Sequence, residues 1–563
     1  MEVTGAKEGR PVAYMSAHRI AIIGAGPGGS SASYHLRKFA RSTTDGDEVL
    51  LEITVFESNP YIGGRTTTVN ALDDPRYPVE LGASIFVEIN HILYNATRDF
   101  GLSSIPKIYE AGPESKYELG IWDGGRFVYK SVRDDDEDRS SWQGWWDIAK
   151  LIWKYGLAPI RTRQATKKAV GDFLKFYEEP IFPFYKIQDA VSATGLDDYT
   201  GFSGKEVLER YKVGEQFSRE IIQASTRVNY ASNLGAIHGL ETLVCMAIEG
   251  AMAVEGGNWQ IFNNMVRTSA DEVYLNTTVT NVHRTKRGGF SLTTSDDEVN
   301  ERLASHFLGN DFDGVILAAP YQYANINFTP NPHTNAPEKI PYVDLHVTLF
   351  TSPHRLSPAF FGLESAADVP ASVLTTLSTE VSEELSEKRG VDAVGPPGFW
   401  SISTLRVLNP STDGFFCGPT SNCTNFSTDE DDTQYLYKIF SPSPLKASFL
   451  SSLLGFPYTP SSTEENDPLS ALPKSDVTWL VEKHWHSYPY ELPRTKFDDF
   501  ALCTTSECEA HNKQEWMWYL NGMESFISTM ETSALAGMNV ARLVVDACEL
   551  ERRDVEEGRP TRE

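Results

Sequence analysis

His18-Arg-Ile-Ala-Ile-Ile-Gly24-Ala-Gly26-Pro-Gly28-Gly29 is a short β-branched run that meets a glycine turn, and a helix-like segment begins at once. This arrangement holds the pyrophosphate of a dinucleotide. Gly24 makes the tight turn, Gly26 lets the backbone approach the phosphates, and Gly29 lets the helix pack close to the strand. The helix N-terminus adds N–H groups and a partial positive charge for the anion.

The next strand narrows the ligand. Leu51-Glu-Ile-Thr-Val-Phe-Glu57 alternates and ends in an acid, 28 residues past Gly29. The usual spacing is ~20 residues, and the polar loop Arg41–Asp47 accounts for the excess. A carboxylate at this strand tip accepts hydrogen bonds from ribose hydroxyls and repels a 2′-phosphate, which disfavours NADP. Gly63-Gly64-Arg65 follows, a second glycine turn carrying a cation suited to a phosphate. Two such turns around the acid favour FAD over NAD.

Composition excludes several classes. The formal net charge of the 563 residues is −27, which makes nucleic acid a poor partner. No apolar run reaches the ~18 residues of a bilayer span, and Met1–Ala17 shows no apolar core of signal-peptide type. None of the six cysteines (Cys245, Cys417, Cys423, Cys503, Cys508, Cys548) is spaced C-x-x-C, so a zinc or thioredoxin-like motif is not expected. Cys417/Cys423 and Cys503/Cys508 are spaced for local disulfides or free thiols alike. Five N-x-S/T sequons, at Asn95, Asn276, Asn327, Asn422 and Asn425, leave glycosylation and compartment open.

Along the chain, segments with nucleotide-fold character alternate with segments without it. The expected architecture is α/β, a discontinuous Rossmann-type FAD-binding domain with an inserted mixed α+β substrate domain. The first is assigned residues 18–90, 253–335 and 512–552, and the second residues 91–252 and 336–511. Residues 1–17 and 553–563 read as flexible termini. Val273–His283 alternates cleanly and predicts one strand, Asp313–Pro320 predicts a buried strand, and Thr529–Leu550 predicts a helix with Ala, Met and Val on one face.

Several further stretches carry a family likeness. They are Trp153-Lys-Tyr-Gly-Leu-Ala-Pro-Ile-Arg161, Arg227-Val-Asn-Tyr-Ala-Ser, Ala253-Val-Glu-Gly-Gly-Asn, Tyr519-Leu-Asn-Gly-Met-Glu524 and Met530-Glu-Thr-Ser-Ala-Leu-Ala-Gly537. In them the chain resembles the prenylcysteine oxidases (prenylcysteine lyases), flavoenzymes with an amine-oxidase-like fold, over nearly all of His18–Leu550. The resemblance implies oxidation of the carbon beside sulfur in farnesyl- or geranylgeranylcysteine, with FAD as acceptor. Water adds to the oxidised carbon, the adduct collapses to cysteine and a prenyl aldehyde, and oxygen leaves as hydrogen peroxide. It also implies a lysosomal or vacuolar route, for which no entry signal is visible. An FAD-dependent oxidase of a prenylated secondary metabolite is the alternative.

Candidate site residues follow. Gly24, Gly26, Gly29 and Glu57 are expected at the adenosine and pyrophosphate, and Gly64 and Arg65 near the phosphates or ribityl chain. By resemblance, Val279 meets the adenine through its backbone, Gly522 and Glu524 close over the ribityl region, and Glu531 directs the last helix toward the flavin. Glu80–Ser84 is expected beside the isoalloxazine. His484 and His486 are the candidate bases for water addition, since histidine titrates in the right range. Trp142, Trp146, Ala149 and Trp153 fall at helical spacing ahead of Arg161, Arg163, Lys167 and Lys168. That pattern fits a helix packed on the core or one that touches the membrane surface. No metal is expected, and the oligomeric state is left open.

Overall fold

Strand β1 (His18–Ile23) is buried on both faces from Ile20 onward, the pattern of a strand covered by helices on each side. Helix α1 (Pro27–Ala40) starts at once because Pro27 presets the helical φ and Gly26 serves as cap. Strand β2 (Leu51–Phe56) then lies parallel to β1, with Ile22 beside Val55. The computed structural model describes residues 17–42, 48–106, 115–132, 151–306, 311–331, 335–410, 433–460, 467–502 and 516–556. Among these, a five-stranded parallel sheet runs in the order Met517–Tyr519, Gly314–Leu317, β1, β2, Glu272–Tyr274. One sheet thus gathers strands from three separate parts of the chain.

The C-terminal helix Met530–Glu556 locks this layer. It crosses α1 where both helices carry small residues. Ser31 Oγ donates to Ala534 O at 2.6 Å, and a side chain on Gly537 would strike the backbone of Gly28 and lie 2.7 Å from Ala32 N. The helix face read from the sequence as rich in Ala, Met and Val thus includes, at Ala534 and Gly537, the small residues that this close crossing requires.

The alternating run Val273–His283 is two strands in two sheets. Asn276 adopts a left-handed φ of 54°, which ends the pairing of Glu272–Tyr274 and redirects the chain. Val279–Arg284 then joins a four-stranded sheet with Phe290–Thr294 and Asn327–Thr329 as its neighbours. A period of two reports a strand but not the sheet it enters.

Opposite this layer stands a seven-stranded sheet, ordered Trp479–Pro489, Tyr342–Ser352, Gln434–Ser441, Ser401–Leu408, Ser372–Thr375, Tyr117–Trp122, Phe127–Val132. Its last two strands come from the 91–252 part of the substrate domain, and the other five from beyond residue 336. Between these strands the Glu/Ser-rich segment Thr379–Leu385 forms a short helix. Trp142, Trp146, Ala149, the four cysteines Cys417, Cys423, Cys503 and Cys508, and most of both termini lie outside the described residues. Trp153 is 91% exposed, and among the described residues no helix is long and apolar enough to cross a membrane.

Candidate functional site

The two glycine turns meet at the C-terminal edge of the parallel sheet. Gly24 has φ +105°, and a Cβ there would stand 2.6 Å from Ala318 O. A Cβ on Gly29 would overlap Gly24 O, so only glycine allows this strand–helix contact. Gly63 N donates to Ala25 O at 2.9 Å, which ties the second turn to the first. Gly64, at φ +58°, faces Gly26. The α1 N-terminus has no side-chain cap and no acid in its first turn, so its positive end is left to an anion.

Glu57 sits at the tip of β2, buried beside this turn. Its Oε2 accepts from Ala25 N at 2.8 Å, and its Oε1 accepts from Asn59 N at 2.8 Å and Asn59 Nδ2 at 2.7 Å. Oε2, with a single donor, keeps a lone pair for a ribose hydroxyl. Thr277 N donates to the backbone Glu57 O at 2.9 Å, which ties the segment leading to Val279 to the tip of β2. Bare backbone, a helix N-terminus and a strand-tip acid fit an adenine dinucleotide.

A cleft opens from these turns and runs between the two layers. Pro27, Arg65 and Thr66 line it from the glycine side, and Leu81–Val87 and Thr529–Ser533 line it as well. The seven-stranded sheet contributes Leu345, Phe440 and Trp485, and the helical region contributes Leu93, Phe173 and Leu174. Thr529 and Thr532 cap the last helix reciprocally, Thr529 N to Thr532 Oγ1 at 3.0 Å and Thr532 N to Thr529 Oγ1 at 3.1 Å. The positive end of that helix is thereby held at the cleft.

Arg65 spans the layers. It donates to the carboxylate of Glu524 and to Ser487 O, on the strand opposite. Glu524 also accepts from Tyr342 Oη at 3.1 Å and Asn521 Nδ2 at 2.7 Å. Gly522, in the turn before it, packs against Asp498, where a Cβ would meet Asp498 Cβ at 3.0 Å. Sequence reading set Arg65 and Glu524 near the same ligand, and the structure brings them together as a pair.

Glu531 is 2% exposed and lines the cleft. Its oxygens accept from Ile92 N at 2.9 Å, Leu93 N at 3.0 Å and Tyr177 Oη at 2.6 Å. Burial pushes its carboxyl up to about 7, against the pull of those three donors. It fastens the last helix to the start of helix His91–Asp99. Tyr177 is absent from the sequence reading because nothing local marks a partner 354 residues away. Lys438, whose Nζ donates to Glu80 O at 2.8 Å, holds the Glu80–Ser84 segment in the same way.

His484 and His486 are not brought to the cleft. They point away from it, each 47% exposed, and meet Asp344 on the neighbouring strand. Trp485 between them takes the cleft side. Alternation along a strand explains the outcome, since the sequence marks two faces without saying which is inward.

Three comparisons bear on this geometry. The family model described as prenylcysteine lyase matches residues 137–557, and that described as an NAD(P)-binding Rossmann-like domain matches residues 22–100. The chain is 27% identical to the farnesylcysteine lyase of Arabidopsis thaliana over 538 residues, covering 93% of this chain and 88% of that protein. It is 25% identical to prenylcysteine oxidase 1 of Homo sapiens over 536 residues, with 93% and 88% covered. Among solved structures, the cyclohexylamine oxidase of Brevibacterium oxydans superposes with a TM-score of 0.50 at 14% identity, over 95% of this chain and 100% of that one, a likeness of fold. With three quarters of its length under one family model and the dinucleotide cradle intact, the chain belongs to the prenylcysteine lyase family.

Proposed function

We propose that this protein is an FAD-dependent oxidase that cleaves the thioether of prenylcysteine, releasing cysteine, a prenyl aldehyde and hydrogen peroxide. The observation that carries the reading is a cleft joining a dinucleotide cradle to an apolar wall. The names of the relatives point to the same substrate class. Nothing in those likenesses favours the prenylated-metabolite alternative.

FAD, when bound, supplies a two-electron acceptor and the onward path to oxygen. The rest is work for the chain. Gly24, Gly26 and Gly29 take the pyrophosphate on bare backbone, Glu57 takes the ribose, and the Val279 backbone takes the adenine. Gly64 and Arg65, steadied by Glu524 beyond the Gly522 turn, bound the phosphate and ribityl region. The N-terminus of the last helix, positioned by Glu531, turns its dipole toward the negative charge that a reduced ring acquires. Phe173, Leu174, Leu93 and Trp485 exclude water from the prenyl chain. A tail of ~15 carbons brings on the order of ten kcal/mol of transfer energy at ~0.8 kcal/mol per CH₂. The wall can thus dominate substrate binding.

The test is product analysis. Flavin-loaded protein given farnesylcysteine in air should release cysteine, aldehyde and peroxide in equal amounts. Absence of all three from a preparation with full flavin content would defeat the proposal.

A further inference from the structure

The outer face of strand Trp479–Pro489 carries a patch that the cleft does not use. The strand runs antiparallel to Tyr342–Ser352 with His484 opposite His346 and His486 opposite Asp344. Two adjacent cross-strand pairs therefore place three imidazoles and a carboxylate on one patch. His484 Nε2 lies 3.1 Å and His486 Nδ1 2.9 Å from the same atom, Asp344 Oδ1. The ligand atoms of these three residues all fall within 4.8 Å of one another. The patch is also held in shape. His346 stacks on His484 with ring centres 4.6 Å apart, and Tyr323 lies flat on His486 at 4.5 Å and 1°.

We propose that Asp344, His484 and His486 form a binding site for a divalent transition metal, zinc being the ion whose chemistry suits them, with His346 adjoining it. Zinc bonds of ~2.0–2.1 Å in a tetrahedron set neighbouring ligand atoms ~3.3–3.4 Å apart. The two separations here are a few tenths of an ångström shorter. Opening them by that amount makes room for an ion on the Asp344 side of both rings. Each neutral ring then carries its proton on the outward nitrogen and gives its facing lone pair to the metal, so no charge is lost from the protein. Two imidazoles and one carboxylate select zinc, nickel or copper over calcium and magnesium, which prefer all-oxygen shells. Water completes the fourth position, and His346, stacked on His484, steadies that ligand's ring.

A pair of exposed hydrogen bonds, with His484 Nε2 and His486 Nδ1 donating to Asp344 Oδ1, is the simpler account of these residues, and it is worth only ~0–1 kcal/mol. What a metal adds to this account is a use for rings whose planes are already fixed by Tyr323 and His346. The buried trio His238, Glu241 and Glu491 is equally close-set, but its geometry is wrong for an ion. His238 Nδ1 accepts from Glu241 N at 3.1 Å, which leaves the ring proton on Nε2, the atom 3.5 Å from Glu491. That nitrogen has no lone pair to offer.

The position gives the metal a consequence. Trp485 and Ser487, on the other face of the same strand, belong to the cleft wall, and Ser487 O accepts from Arg65. An ion at Asp344, His484 and His486 cross-links the two strands behind that wall without touching the substrate. The proposal stands apart from the reading of the cleft and survives or fails without it.

The experiment is a titration of tag-free, chelator-treated, flavin-loaded protein with Zn²⁺ alone against a chromophoric competitor at neutral pH. Co²⁺ alone, followed by its visible bands, reports the coordination geometry. One equivalent of tight binding and a tetrahedral cobalt spectrum are expected. His346→Ala should weaken binding ~10–100-fold, as loss of an adjoining group does, and Asp344→Asn and the double variant His484→Ala/His486→Ala should weaken it further. Metal-free melting temperatures matching the parent would show that these variants fold. The proposal is overturned if the parent binds no stoichiometric ion, or if the double variant binds it with unchanged affinity.

Discussion

Two clusters of histidine and carboxylate meet the chain near the end of one strand, one through His486 and the other through Glu491 just past Pro489, and burial separates their chemistry. Asp344, His484 and His486 stand in water with nitrogen and oxygen open to an ion. His238, Glu241 and Glu491 are sealed in the protein, at 0%, 0% and 1% exposure. There burial lowers His238 to about 3 and raises Glu241 to about 8, and Glu491 well above its ordinary value. Imidazole and carboxylate thus stand solvated in one place, and in the other the buried carboxyls keep their protons. Glu524 marks a third condition, buried like Glu491 but paired with the Arg65 guanidinium.

The largest effect should come from unpairing Glu524. Arg65→Met leaves a buried carboxylate without its cation, and a cost of ~3–5 kcal/mol is expected in urea unfolding of the flavin-free protein. A loss below ~1 kcal/mol would show that Glu524 does not depend on Arg65.

Next is the pH dependence of stability. Folded Glu241 keeps a proton that the unfolded chain releases near 4.5, so its contribution is full below that value and is lost as pH rises to about 8. Glu531, raised to about 7, acts with the same sign. His238 and His35, lowered to about 3 and about 4, act oppositely, and their contributions are intact above 6.5 and fade as pH falls. Between 4.5 and 6.5 the two sets oppose each other, and above 6.5 only the acids remain. Unfolding free energy should therefore fall between pH 6.5 and 8 by on the order of a few kcal/mol. Glu241→Gln should flatten that fall in part, and Glu241→Gln/Glu491→Gln further. An undiminished slope in the double variant would remove the buried half of the contrast.

The smallest effect belongs to the exposed cluster. Without metal, His486→Ala should change stability by no more than ~0.5 kcal/mol in the same unfolding assay. A loss of several kcal/mol would mean that this patch is structural cement and would blur the comparison.

What could be read in advance follows from the range of the forces involved. The Gly24–Gly29 turn and Glu57 are legible because a tight turn and a close helix contact impose residue types within one short stretch. The crossing at Gly28 and Gly537 left a trace as a face rich in Ala, Met and Val on the last helix. The seven-stranded sheet left little, because its strands are collected from six distant regions and pair only when the fold is complete. The same holds for Glu531 with Tyr177. His484 and His486 were noticed for their chemistry, and alternation alone could not tell that Trp485 faces the cleft. Val273–His283 was readable as extended chain, but the left-handed turn at Asn276 that splits it between sheets was not.

The central claim is that one cleft brings a dinucleotide flavin and a prenyl thioether together. Anaerobic mixing of the flavin-loaded protein with farnesylcysteine, followed through the flavin's visible absorption, tests it most directly. Rapid bleaching that reverses on admitting oxygen, with aldehyde formed once per flavin, is the predicted result. A flavin that stays oxidised while farnesylcysteine is demonstrably bound would contradict it.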